Sequence, residues 1–141
     1  MAAAIGSRTI ALWLMSKYRL NFGRSSEEKA IRYLKVRGYR ILEANYKNKL
    51  GEIDIIAKHD SRLCFIEVKS RASLAFGLPK EAVDSRKQYK ISRAALAYLK
   101  ERKLLDEGCR FDVLSILDNR ENGVQFELIQ GAFDLAQNYS Y

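Results

Sequence analysis

Residues 51–71 read GEIDIIAKHDSRLCFIEVKSR, and the placement of charge in this stretch governs how the rest of the chain is read. It divides into two apolar runs joined by a polar turn at residues 58–62, which predicts a pair of strands. A strand exposed on one face alternates apolar with polar residues, and one buried on both faces is apolar throughout. These runs do neither: Asp54 interrupts Ile53, Ile55 and Ile56, while Glu67 and Lys69 interrupt Phe65, Ile66 and Val68. An ionised carboxylate among branched aliphatics is costly unless it is paired, lies at a strand end or binds a metal. Alternate side chains share one face of a strand, so Phe65, Glu67 and Lys69 point one way and Cys64, Ile66 and Val68 the other. With Asp54 across from Glu67, two carboxylates would converge, with an ammonium two residues along.

Upstream, residues 39–46 read as a strand followed by a basic turn, residues 47–50, which Gly51 closes. Before it, residues 26–37 predict a helix that Gly38 ends, with Ser25 and Glu28 spaced as a capping box. Glu27 shares a face with Ala30, Ile31 and Leu34, the face that should lie against a sheet. It either complements the helix dipole or reaches over the sheet edge. Downstream, residues 70–79 form a loop holding Arg71, Phe76, Gly77 and the only proline, Pro79.

A second helix spans residues 85–103, with Ile91, Ala94, Ala95, Tyr98 and Leu99 at helical spacing and basic residues on its other faces. Residues 110–117 and 124–130 are strands, with Asn122-Gly123 supplying a hairpin turn. Three strands on such short links form an antiparallel meander, and a strand, long helix and strand form a right-handed crossover that makes the third and fourth strands parallel. The predicted class is therefore α/β with a mixed central sheet flanked by helices.

A chain of 141 residues is long enough for one domain with a real core. The expected division is an N-terminal helical extension at residues 1–21, a domain at 22–134 and a tail at 135–141. Within the extension, TIALWLM at residues 9–15 is far shorter than the ~20 residues of a membrane span, and no small-residue cleavage site follows it. The net charge of +8 favours a polyanion such as DNA or RNA. Cys64 and Cys109 are the only cysteines; both read as small apolar residues of a reduced, cytoplasmic protein. With one histidine they cannot make a conventional zinc site without carboxylate help.

Hard divalent cations take oxygen ligands such as the Asp54 and Glu67 carboxylates, and a nearby lysine can orient a water and stabilise charge on a phosphate. An aspartate, twelve residues, then Glu-x-Lys is a weak string by itself. Its bland reading is an Asp54 that ends a strand and a Glu67–Lys69 pair on a solvated face. The flanking strands, the acid-bearing helix before them and the basic helix after them raise it to a choice between a nuclease and a non-catalytic nucleic-acid binder.

The chain resembles the YraN-like family of small bacterial proteins, which look like the Holliday-junction-resolvase branch of the restriction-endonuclease-like superfamily. The likeness spans residues 22–113 and rests on SEEKAIRYLKVRGYRILEANY, GEIDIIA, FIEVKSR, FGLPKEAVDSRKQ and RFDV, in that order. It implies an αβββαβ core of restriction-endonuclease-like fold and a Mg²⁺- or Mn²⁺-dependent endonuclease acting on DNA, with branched or junction DNA the preferred substrate and a homodimer the acting form. By the same resemblance, Asp54, Glu67 and the Val68 carbonyl would bind the metal, and Lys69 and Glu27 would complete the catalytic set. Arg71, Lys87 and Gln88 would contact phosphate or brace the site, and the basic helix carrying Lys87, Lys90 and Arg93 would follow the nucleic-acid backbone. Asp112 would support the sheet or the basic residues around it. Ser26 stands where that family usually has glycine, which limits how closely the backbone there can approach a phosphate. Neither a membrane nor a small-molecule cofactor is expected.

Overall fold

The computed structural model describes residues 25–72, 83–119 and 123–135. The extension at residues 1–21, the loop residues Phe76, Gly77 and Pro79, Asn122 of the second hairpin and the tail beyond Leu135 lie outside them. The element order is α1 (Ser25–Val36), β1 (Arg40–Asn48), β2 (Gly51–His59), β3 (Arg62–Arg71), α2 (Ser85–Glu101), β4 (Cys109–Asn119) and β5 (Gly123–Phe133). The five strands form one sheet in the order β1-β2-β3-β4-β5. Every neighbouring pair is antiparallel except β3 and β4, which the crossover through α2 makes parallel.

The helices cover opposite faces. Ala30 and Leu34 of α1 pack with Ile55, Ala57, Cys64, Ile66, Leu114 and Ile116. On the other face, Ile91, Ala94, Ala95, Tyr98 and Leu99 of α2 pack with Ile53, Ile56, Leu63, Phe65, Phe111 and Val113. Covered on both sides, β3 and β4 are buried continuously at their centres; Leu63 to Ile66 of β3 is apolar throughout, while β4 also buries Asp112 and Ser115. No helix among the described residues is long and apolar enough to cross a membrane.

Local chemistry sets the boundaries. Gly38, at φ +88°, ends α1, with Tyr39 N–H donating to the Leu34 carbonyl and Gly38 N–H to that of Lys35. β1 runs to Asn48 rather than stopping at residue 46, because Lys47 and Asn48 pair with Glu52 and Gly51. The Asn48 side-chain oxygen then accepts from the Leu50 and Gly51 amides, so the turn shrinks to Lys49 and Leu50. A Cβ on Gly51 would lie 3.0 Å from the Lys90 carbonyl oxygen, so glycine here lets α2 lie close on the start of β2. α2 ends at Glu101, two residues before its predicted limit, because Lys103 turns left-handed at φ 57° and Leu104 N–H closes on the Leu99 carbonyl.

A buried polar network anchors the sheet where β3 and β4 begin. Asp112 is fully buried and takes both Nε and Nη2 of Arg110, at 2.8 and 2.9 Å, the Tyr39 hydroxyl at 3.0 Å and the Gly131 amide at 3.0 Å. Arg110 also reaches the Tyr39 oxygen and His59 Nδ1. Burial pushes the Tyr39 hydroxyl and the Cys64 thiol up to about 12, so both stay protonated beside this ion pair. Asp112 thus serves the sheet and its neighbouring arginine.

Removing the arginine leaves that carboxylate buried and uncompensated. Arg110→Leu is expected to cost about 3–5 kcal/mol in urea unfolding at neutral pH, the penalty of a broken buried pair. A loss below about 1 kcal/mol would show that the remaining hydrogen bonds suffice for Asp112.

Candidate functional site

The β2–β3 ladder starts at the His59–Arg62 pair and ends at Ile55–Ile66. Beyond that point Gly51, Glu52 and Ile53 pair only with β1, while Glu67 to Arg71 pair only with β4. The sheet therefore forks at Asp54 and Glu67. On the β1 side, the register sets Asn45 opposite Asp54, and Asn45 adopts a left-handed φ of 55°, which asparagine tolerates better than most residues. β2 turns over at the same place, since Ile53 packs in the α2 layer and Ile55 in the α1 layer.

The turn aims Asp54 into the fork, where its Oδ2 accepts the Val68 amide at 2.8 Å. A carboxylate thus takes the place of the missing strand partner. The main-chain N–H and C=O of one strand residue point the same way, so the Val68 carbonyl also opens toward this gap. Glu27, in the first turn of α1, lies beside it and accepts Asn45 Nδ2 at 2.8 Å. Glu27, Asn45, Lys47, Asp54, Val68 and Ser70 line an open cleft of about 550 Å³, with Ser26 at its rim.

Glu67 and Lys69 lie on the α2 side of β3, on the face shared with Phe65 that their parity predicted. Glu67 is only 6% exposed, and its Oε1 meets Lys87 Nζ at 2.5 Å and Lys69 Nζ at 3.8 Å. Lys87 is delivered by a fixed helix start: the Asp84 side chain caps the Lys87 amide at 2.9 Å, and Gln88 Nε2 bonds the Val83 carbonyl at 2.9 Å. The predicted residues therefore do not line one wall. Glu27, Asp54 and Val68 face the cleft, Glu67 and Lys69 stand across the fork, and Asp54 is the link between the groups.

Charge is strained at this link. Burial, and next the Asp54 carboxylate, push Glu67 above the usual carboxylate range against the pull of Lys87. Lys69 is pushed down, first by its hydrogen bond with Lys87, then by burial and the Lys87 charge. For Lys87 burial is the largest influence and pulls down, but the bonds to Glu67 and Lys69 outweigh it and the group is pushed up. Of the two ammonium groups, Lys87, the one touching Glu67, keeps its proton more firmly.

No group of three or more His, Cys, Asp or Glu side chains that could hold a metal occurs among the described residues. The available donor set is two carboxylates and a main-chain carbonyl: Asp54, Glu67 and Val68. Asp54 Oδ2 accepts the Val68 amide and Glu67 Oε1 pairs with Lys87, while the two carboxyl groups also lie in contact with each other. Magnesium is commonly held by one or two carboxylates with several waters, so this set fits it in number and hardness.

The remaining predicted residues are more dispersed. Arg71 is half-buried at the end of β3. On α2, Lys90 is exposed, while Arg93 is half-buried and stands 5.6 Å from the Tyr89 ring centre. Sequence reasoning missed Asn45, Lys47 and Ser70. Only the tolerance of asparagine for left-handed backbone could have marked Asn45, and nothing local marks the other two.

Residues 26–116 match the family described as Uncharacterised protein family UPF0102. The chain belongs to that family. The matched span contains every candidate site residue from Glu27 to Arg93. A UPF0102 protein of Moorella thermoacetica is 45% identical over 120 residues, 84% of this chain and 100% of the relative. One from Syntrophus aciditrophicus is 45% identical over 117 residues, covering 83% and 91% of the two chains. A third, from Desulfosudis oleivorans, is 46% identical over 120 residues, covering 85% and 95%. Membership of UPF0102 agrees with the resemblance drawn from the sequence motifs, and the names of these relatives state no activity.

Lys87→Ala tests the ion pair at the fork. Breaking a buried pair costs more than breaking a surface one, but Lys87 is 37% exposed and water screens part of the loss. The expected destabilisation at pH 7 is about 1–2 kcal/mol. A carboxyl raised in the folded state weakens folding as pH climbs through the range between its unfolded and folded values, and without Lys87 this penalty grows. The deficit should therefore shrink as pH falls through the raised Glu67 value toward the ordinary carboxylate range, in urea titrations of variant and parent. A deficit independent of pH would place the effect elsewhere.

Proposed function

We propose that this protein is a nuclease of restriction-endonuclease-like fold that hydrolyses DNA phosphodiesters with Mg²⁺ or Mn²⁺. The observation that carries the reading is the meeting of Asp54 and Glu67 at the fork, with the depressed amine of Lys69 beside them. Such a charge imbalance recurs at sites that do proton and phosphate chemistry. The element order and the mixed sheet agree with that fold.

Asp54, Glu67 and the Val68 carbonyl would hold the cation, which when bound supplies charge stabilisation at the phosphate and eases deprotonation of water. Lys69, with its lowered proton affinity, orients the attacking water and can accept its proton. Lys87 holds Glu67 in place and keeps positive charge near the developing negative charge. Glu27, fixed by Asn45, sets the α1 wall of the cleft. Lys47, Arg71, Lys90 and Arg93 supply sequence-independent contacts to the backbone, so binding weakens steeply with salt. Branched or junction DNA is the proposed substrate class and a homodimer the proposed form. The free thiols of Cys64 and Cys109 suit a reducing cytoplasm.

A second reading has its own support. Asp54 and Glu67 each already bond a protein donor, as they would in a nucleic-acid-binding domain that uses its acids structurally.

Incubation with junction, flap, single-stranded and linear DNA in Mg²⁺ and in Mn²⁺ separates the two. On the nuclease reading at least one substrate is cut, and Asp54→Ala and Lys69→Ala each lower the rate by about 10²–10⁴-fold. Mn²⁺ should also raise the melting temperature of the parent and not of Asp54→Ala, because a ligand bound only to the folded state stabilises it. No cleavage of any substrate, or variants that cut as well as the parent, would sink the nuclease reading.

A further inference from the structure

α1 carries a second stripe besides the one that faces the core. Lys29, Arg32, Tyr33 and Val36 follow one another at helical spacing on the side that meets β5, and Arg37 continues the stripe just past the end of the helix. With Val124 and Phe126 of β5 they line an open groove of about 370 Å³. Its floor is apolar: Tyr33 stacks on Phe126 with ring centres 4.5 Å apart, and Val36 and Val124 are 80% and 38% exposed. Among the described residues its rim is cationic, formed by Lys29, Arg32 and Arg37, and no carboxylate of those residues lines it. Lys29 leans on Asp118 at 3.4 Å, whereas Arg32 and Arg37 have no ion pair among the described residues. An apolar centre edged by two arginines without an ion pair among the described residues is the complement of an apolar side chain flanked by carboxylates.

We propose that this groove binds an acidic segment of a partner protein through an aliphatic or aromatic anchor that seats on Tyr33, Val36, Val124 and Phe126. The inference stands apart from the nuclease reading. Nucleic acid fits less well, since base stacking needs a free ring face. Phe126 covers one face of Tyr33 and the Arg37 guanidinium, 3.9 Å from the ring centre, covers the other. The residues preceding α1 are a poor occupant by charge, because positions 1–24 hold Arg8, Lys17, Arg19 and Arg24 and no acid. Another copy could offer exposed Leu105 with Asp106 and Glu107. That segment precedes the start of β4, whereas the groove lies where β4 ends and β5 begins. Copies joined in this way would meet head to tail, through two different surfaces rather than a two-fold contact. The groove shares α1 with the cleft, and its lining begins at Lys29, in the turn that follows Glu27.

Fluorescence anisotropy with a dye-labelled peptide of four aspartates followed by leucine and phenylalanine tests the proposal on the full chain. Saturable binding is expected, at least about tenfold tighter than to a peptide with lysines for the aspartates or one with alanines for the leucine and phenylalanine. The double variant Arg32→Glu with Arg37→Glu should lose at least about tenfold in affinity. Val36→Ser, at an exposed position, should weaken binding while leaving the circular dichroism spectrum and melting temperature unchanged. Absence of saturable binding, or binding indifferent to these changes, would overturn the proposal. Equal displacement by a single-stranded oligonucleotide would overturn it in favour of nucleic acid. Self-association in sedimentation that Val36→Ser abolishes would overturn it in favour of a second copy.

Discussion

The hydrogen bond from the Val68 amide to the Asp54 carboxylate is the interaction on which the candidate site depends. Where β2 and β3 part, a main-chain donor loses its strand partner, and a buried amide without an acceptor would cost about 1–3 kcal/mol. Asp54 meets that need and is drawn into the opening, close enough to Glu67 for each charge to feel the other. The same need that satisfies the backbone brings two carboxylates together. Lys87 then offsets part of the repulsion, and its own charge acts on Lys69. One departure from regular pairing thus accounts for the cleft, the strained acid and the depressed amine.

The two ends of the sheet divide the work. Where β3 and β4 begin, Asp112 is fully buried and takes Arg110, the Tyr39 hydroxyl and the Gly131 amide, a satisfied network that fixes the sheet. Where β3 ends, Glu67 is buried but Lys69 and Lys87 stay partly exposed, and Asp54 lines the open cleft. In open α/β sheets the carboxyl ends of parallel strands are where ligands bind, and the fork lies at that end of β3. Helix α1 joins this end to the outer surface: its first turn supplies Glu27 to the cleft, and its later turns carry the cation-rimmed groove.

Much of this was legible in the chain because the rules involved are local. A period of two placed Glu67 and Lys69 on the face of Phe65, helical spacing placed Glu27 above Ala30 and Leu34, and short links forced the meander. The crossover length made β3 and β4 parallel. Turn and cap boundaries were less legible. Asn48 extends β1 by binding two turn amides, and Lys103 ends α2 in a left-handed conformation that its side chain does not announce.

The sequence by itself determined the order of elements, the two buried faces and the identity of the charged residues that interrupt the strands, since each follows from periodicity over a few positions. Only the tertiary structure decided that the sheet forks. That depends on β2 staying with β1 while β3 stays with β4, a competition among pairings distant in the chain. The fork in turn set Asp54 against Val68, held Glu27 by Asn45 and closed Lys87 on Glu67. These contacts join separate elements across the sheet, so no local pattern encodes them.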